Sequence, residues 1–323
     1  MNAYFVIVLM SLILFFVVWF LGWLLERLSR ALLEVTHRYG SRAWYLLVGP
    51  GVAMHELSHA LGCLLTRTNI VEFKPIQVIM TDSGVILGYV RHEDPENPLK
   101  SSVIGLAPVA VSTFILFLFA LGATYLIPEA HLGGQALSML GDLIAMKADP
   151  ILLYQLEYPL VRVFGFIYEF LYALAQLGVL NPVFWIILFF AMTIMFSNAP
   201  SSVDVEAATP GLKAIIVFDI VWMILAYLNP AVGWLLFGIF EFLLVMFSIA
   251  LAMAGLGYGM FIMVAAMSRI RPLFQPVPIV ACILTAVVLW MNAIGTAAAQ
   301  TVMSLAVLIA LGAAILLLQR RIL

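Results

Sequence analysis

Along this chain polar residues are rare and apolar runs are long. A membrane-spanning helix needs about 20 mostly apolar residues. Runs of that kind cover 3–25, 44–66, 102–127, 182–199, 213–228, 231–252 (with a possible extension to 267), 277–294 and 297–318. The pattern predicts an all-α polytopic membrane protein with about eight transmembrane helices. Residues 150–178 carry Glu157, Arg162 and Glu169 at nearly helical spacing. They predict an amphipathic helix at the interface, or a ninth span. The glycine-rich stretch 253–267 reads as a helix break or a close-packing face.

One segment has a different period. "NIVEFKPIQVIMTDSGVILGYVRH", residues 69–92, holds two β-branched runs around the turn signal "TDSG". It predicts a short β-hairpin bearing Val71, Phe73, Ile76, Val78, Val85, Leu87 and Tyr89. One reading is a small amphipathic hairpin in the cytoplasm. The other is a membrane-associated hairpin whose free edge pairs with an extended peptide.

Composition agrees with the spans. The 323 residues are 65% hydrophobic and 10% charged, against about 45–50% and 25% in soluble domains. The net charge of −2 gives no electrostatic case for nucleic acid. Cys63 and Cys282 lie in apolar stretches and read as small buried hydrophobes. The first apolar run is too long for a signal-peptide core of about 7–15 residues and reads as a retained span.

Orientation is read from Lys and Arg. Arg269 and Arg271 precede the terminal hairpin of spans, and Arg320 and Arg321 follow it. Counting back from a cytoplasmic position for both groups puts the N-terminus and loops 67–101 and 200–212 in the cytoplasm. Segment 26–43, with Arg27, Arg30, Arg38 and Arg42, falls outside on this count, against its charge. The membrane is taken to be the plasma membrane.

Chemistry concentrates in "AMHELSHALG", residues 53–62. On a helix His55 and His59 share one face and can both reach one metal ion. Glu56 sits beside them, where it can act on a water polarised by zinc. By chance such a pattern arises in roughly three per thousand chains of this composition. The bland alternative is a buried polar network, or an ion path of a transporter or scaffold. Pro50 and Gly51 can loosen the chain just before the motif.

Zinc in a catalytic site usually has three protein ligands. His37, His92 and His131 fall in predicted loops. Residues 196–212, "FSNAPSSVDVEAATPGL", end a span and carry Asp204 and Glu206. Asp204 can turn inward as a ligand or remain a solvated loop acid. Asn198 and Ser201 are candidate donors behind it, or helix caps. Asp219 and Glu241 fall inside predicted spans without a basic partner.

A span bearing "HELSH", a hairpin after it and a later "NAPSSVD" together resemble the site-2 protease family of intramembrane zinc metalloproteases. "GLAPVAVS", 105–112, resembles the segment that opens the family's next span. The resemblance covers 44–212, without the family's Leu-Asp-Gly at Asp204. It implies a catalytic core at 44–212. Residues 1–43 would form a first span with a basic connector, and 213–323 further spans. It implies one zinc per chain held by His55, His59 and Asp204, with Glu56 as base and then acid. The substrate would be a transmembrane protein in the lipid bilayer, presented as a strand on the hairpin and reached by water from the cytoplasmic side. A prenyl-protein-type metalloprotease, with Glu206 as third ligand, is the enzyme alternative.

Overall fold

The computed structural model describes residues 2–36, 48–77, 79–81, 84–86, 88–95, 97–126, 132–198, 201–229, 231–232, 235 and 238–322. Helix α1 is Ala3–Thr36 and α2 is Gly49–Thr66. Four short strands follow: β1 Ile70–Lys74, β2 Ile79–Thr81, β3 Gly84–Ile86 and β4 Tyr89–His92. Then come α3 Pro98–Leu126, α4 Leu132–Met146, α5 Glu157–Gln176, α6 Pro182–Ser197 and α7 Ser202–Leu228. The chain ends in α8 Ile239–Arg269, α9 Pro276–Met291 and α10 Ala297–Ile322.

Among the described residues six helices are long and apolar enough to cross a membrane: α1, α3, α5, α7, α8 and α10. The predicted spans at 182–199 and 277–294 appear as the shorter apolar helices α6 and α9. The span expected at 44–66 is an 18-residue helix that begins only at Gly49 and is not among the six. Helix α5, expected as an interfacial helix or a ninth span, is long and apolar enough to cross but has the lowest mean hydropathy of the six, 1.2. Its Arg162 pairs with Asp142 of α4, an element the hydrophobic pattern did not predict.

The hairpin is present in nested form. Strand β1 pairs antiparallel with β4, with a register shift between Ile70 and Glu72, and β2 pairs with β3 inside it. The inner pairing ends at Thr81 opposite Gly84, the two ends of "TDSG"; Asp82 and Ser83 lie outside the described residues. Of the expected strand residues, Val78 and Leu87 lie outside the described residues.

Local sequence accounts for several helix ends. Asn181 accepts from the Val183 amide, with Pro182 in the first turn of α6, where a missing N–H costs nothing. Ser201 caps α7, so residues expected as loop 200–212 are helical from Ser202 onward. Pro210 lies inside α7, and Ser102 of α3 fills the gap in its ladder. The Ser102 hydroxyl accepts from Gly211 N at 2.8 Å, while its one hydrogen is shared between Pro98 O at 2.9 Å and Ala207 O at 3.3 Å. The glycine-rich stretch of α8 does not break. Gly257 lies so near α6 that a Cβ there would meet Ala191 O and Met192 Cα at 3.1 Å.

Contacts along α1 fix the directions. Tyr4 meets Phe240, the Leu21 carbonyl accepts from Tyr258, and Leu25 packs with Phe261. Helices α1 and α8 therefore run parallel, and α7 runs antiparallel to α1, since Asn2 bonds Ala226 O and Trp222 bonds Tyr4. Arg27 thus shares an end of the bundle with Arg269. The N-terminus sits at the opposite end, which corrects the count that put it beside Arg269.

Glu241 also departs from expectation. It pairs with Lys147, just past α4, at 2.6 Å, with both side chains at most 1% exposed. Lys147 lies 4.9 Å from the centre of the Tyr4 ring. Lys147 sits outside every apolar run, so linear pattern gave no reason to bring it inside. Asp219 is buried at 6% exposure with no basic partner among the described residues.

Removing one partner of a buried ion pair leaves the other charge uncompensated, at a cost of about 3–5 kcal/mol. Lys147→Met should therefore lower the detergent-solubilised melting temperature sharply. Lys147→Met with Glu241→Leu should recover most of the loss, as a double-mutant thermal series will read.

Candidate metal centre

Helix α2 carries His55 and His59 one turn apart, and their rings cross at 81° with centroids 4.7 Å apart. Close backbone approach brings its neighbours in. Gly62 lies against α3, where a Cβ would stand 3.0 Å from Ile104 Cα. Gly105 lies against α7, where a Cβ would stand 2.9 Å from Asp204 O. Both helices reach the histidines only because these positions lack side chains.

Each imidazole is held from behind by a main-chain carbonyl. His55 Nδ1 lies 2.8 Å from Ser197 O, at the end of α6. His59 Nδ1 lies 2.8 Å from Ile104 O, in α3. A carbonyl only accepts, so each Nδ1 carries the hydrogen. Each neutral ring then turns an Nε2 lone pair forward.

Those lone pairs meet the Asp204 carboxylate. His55 Nε2 is 3.3 Å from Asp204 Oδ2, and His59 Nε2 is 3.0 Å from Oδ1. The two Nε2 atoms are 3.1 Å apart. Asp204 is the third residue of α7 and closes a capping box: its Oδ2 accepts from Ser201 N at 2.7 Å, and Ser201 Oγ accepts from Asp204 N. Asp204 is thus a buried helix-cap residue, not a solvated loop acid.

The donor set fits a metal. Two bonds of about 2.0–2.1 Å at a tetrahedral angle put their donor atoms about 3.3 Å apart. The separations here, 3.1 Å between the two Nε2 atoms and 3.0 and 3.3 Å from them to the two different oxygens of Asp204, are close to that edge length. Two imidazole lone pairs and a carboxylate at these distances repel unless a cation or proton lies between them. His55, His59 and Asp204 form the candidate metal group found among the described residues.

Glu56 is half-buried beside the group and lies against the hairpin. A Cβ at Gly88, just before β4, would stand 2.9 Å from Glu56 Cγ. In the hairpin, Val71, Phe73 and Ile76 are exposed, and Tyr89 lies in register with Lys74. Only the backbone of Val85, opposite Met80, is described. The Lys74 ammonium beside Glu72 holds that carboxyl below the usual carboxylate range. The sheet has two strands, so β1 and β4 each keep one edge unpaired among the described residues.

Other expected residues are not brought to the centre. Glu206 is exposed on α7. His92 Nδ1 bonds the neighbouring Glu93 carbonyl. His37 and His131 lie outside the described residues. The Asn198 side-chain amide has no hydrogen-bond partner, so it does not support a ligand as expected. Ser201 does, through the cap. The carbonyls of Ser197 and Ile104 have no signature in sequence, since every residue has one. A further polar contact, Ser112 Oγ to Ser197 Oγ at 2.7 Å, joins α3 and α6 behind His55.

No family model, curated protein or solved structure matches the chain.

Metal analysis of purified protein should give a near-stoichiometric bound metal ion. His55→Ala and Asp204→Ala should each lose most of it, and Glu206→Ala should retain it. Metal kept by Asp204→Ala would remove Asp204 from the centre.

Proposed function

We propose that this chain is a zinc-dependent intramembrane endopeptidase of the site-2 protease type, cutting transmembrane protein substrates. One observation carries the reading. Two imidazole Nε2 atoms and both oxygens of the Asp204 carboxylate converge within 3.0–3.3 Å beside Glu56 of the same helix as the histidines, in a chain of apolar helices. The site-2 resemblance of "HELSH", the hairpin and "NAPSSVD" points the same way.

His55, His59 and Asp204 would hold the metal. Bound zinc supplies Lewis-acid polarisation of water and of the scissile carbonyl. Glu56 takes the proton of the attacking water and delivers it to the leaving amine. It is free for this because it lies outside the donor set. A peptide bond in a helix must be unwound before attack, and an extended segment added along the hairpin edge would offset part of that cost. The contact between Gly88 and Glu56 supports the hairpin as the place where that segment lies.

In the membrane, α6 and α9 are the shorter apolar helices beside the longer ones. The end that carries Arg27 and Arg269 faces the cytoplasm, by the positive-inside rule. Asp204, in the first turn of α7, opens toward that end, and the plasma membrane is the expected location. A prenyl-protein-type site using Glu206 has less support, because Glu206 is exposed and Asp204 is the acid grouped with both histidines. A transporter or scaffold would not need an acid in the position of Glu56.

Glu56→Gln keeps size and polarity but removes the base. It should lower cleavage of a transmembrane reporter by about 10²–10⁴-fold while zinc content and melting temperature stay at wild-type values. Wild-type turnover in that variant would end the proposed mechanism.

A further inference from the structure

Behind the metal centre lies a group of buried polar side chains that the chemistry above does not use. Thr113 and Thr193 are 1% and 3% exposed, and their hydroxyls have no hydrogen-bond partner. Neither do both polar atoms of the Asn198 amide, nor Trp19 Nε1. A helical Ser or Thr has a ready partner in the carbonyl four residues earlier. Ser58, Ser248 and Ser304 all use it here. Thr113 and Thr193 do not, although each sits inside a helix.

These groups are neighbours. Thr193 is one turn before Ser197 on α6, and Asn198 follows Ser197 directly. Ser197 is bonded to Ser112, which Thr113 follows on α3. Gly22 of α1 lies against Asn198, where a Cβ would stand 3.0 Å from Asn198 Cβ. Trp19, one turn earlier on α1, packs in one cluster with Val109, one turn before Thr113. Five orphaned polar atoms thus belong to side chains on the facing turns of α1, α3 and α6 around Ser197. Ser197, whose carbonyl holds His55, lies in the middle.

Leaving a buried polar atom unpaired costs about 1–3 kcal/mol, so five together are not a stable dry arrangement. We infer that Trp19, Thr113, Thr193 and Asn198 hold a cluster of buried water molecules on the interior side of the metal centre. The ligand class is water, because donors and acceptors are mixed and no charged side chain is among them. Water there is bound by two to four polar groups each, as in other protein interiors. Under the proposed zinc endopeptidase reading, which this role rests on, the cluster is a store one residue from the His55 support. It replaces the water consumed at each turnover. The hydration itself depends only on the orphaned groups.

X-ray radiolysis tests it, because hydroxyl radicals form at ordered water and oxidise the side chain beside it. The probe is water alone, on full-length protein in detergent. After correction for intrinsic reactivity, Trp19 should be oxidised several-fold faster than Met253, which is 1% exposed in an apolar part of the core. Exposed Met291 serves as the dose control. Thr113→Val with Thr193→Val removes two hydroxyls at constant shape and should lower the Trp19 rate several-fold. Trp19 oxidation no faster than Met253 in the wild type would overturn the inference without any variant. A rate unchanged in the folded double variant would overturn the assigned groups. Zinc content is measured on the same samples, so failure of the metal reading registers separately.

Discussion

Two backbone carbonyls determine what the histidines of this protein can do. Ser197 O and Ile104 O take the Nδ1 hydrogens of His55 and His59, which leaves both Nε2 lone pairs pointing at Asp204. Either ring turned by a flip would present a hydrogen to its neighbour and spoil the donor set. The carbonyls belong to α6 and α3, so the centre exists only while both helices keep their position against α2. Asp204 is tied in the same way. Its carboxylate closes the cap of α7 while its two oxygens face the histidines.

That dependence explains the small residues at the crossings. Gly62 and Gly105 let α2, α3 and α7 approach at backbone contact. Apolar burial drives little association among helices in lipid, so close packing and hydrogen bonds between helices carry more of it. Ser102 works in this way, bridging the break at Pro210 and joining α3 to α7 one turn from Asp204.

Polar groups inside the bundle occupy two regions with opposite character. At the end near Asn2, Lys147 and Glu241 neutralise one another beneath the Tyr4 ring and tie α4 to α8. That pair is closed, with its charges matched. Beside the metal group, the side chains of Trp19, Thr113, Thr193 and Asn198 are uncharged and lack partners, which would suit a region that exchanges small molecules. Rigidity at one end and the inferred hydration at the other would suit the proposed reaction, which needs water while the bundle stays intact.

Much of this was legible in the residues. Long apolar runs identify membrane helices because the backbone must satisfy itself in lipid. The i, i+4 spacing of His55 and His59 puts both on one face of any helix, and "TDSG" between β-branched runs turns a hairpin. Ser201 and Asp204 at capping-box spacing carry the start of α7, although the stretch reads as loop when only apolar runs are counted. Other features depended on packing. Which acid faces the histidines follows from the rotation of α7, since Asp204 and Glu206 are only two residues apart. The partner of Glu241 lies 94 positions away in the chain. The direction of α1 relative to α8 is set by side-chain contacts that no charge count contains. Periodicity and spacing are local properties of a chain. The meeting of distant groups is a property of how its helices cross, and only the tertiary structure decides it.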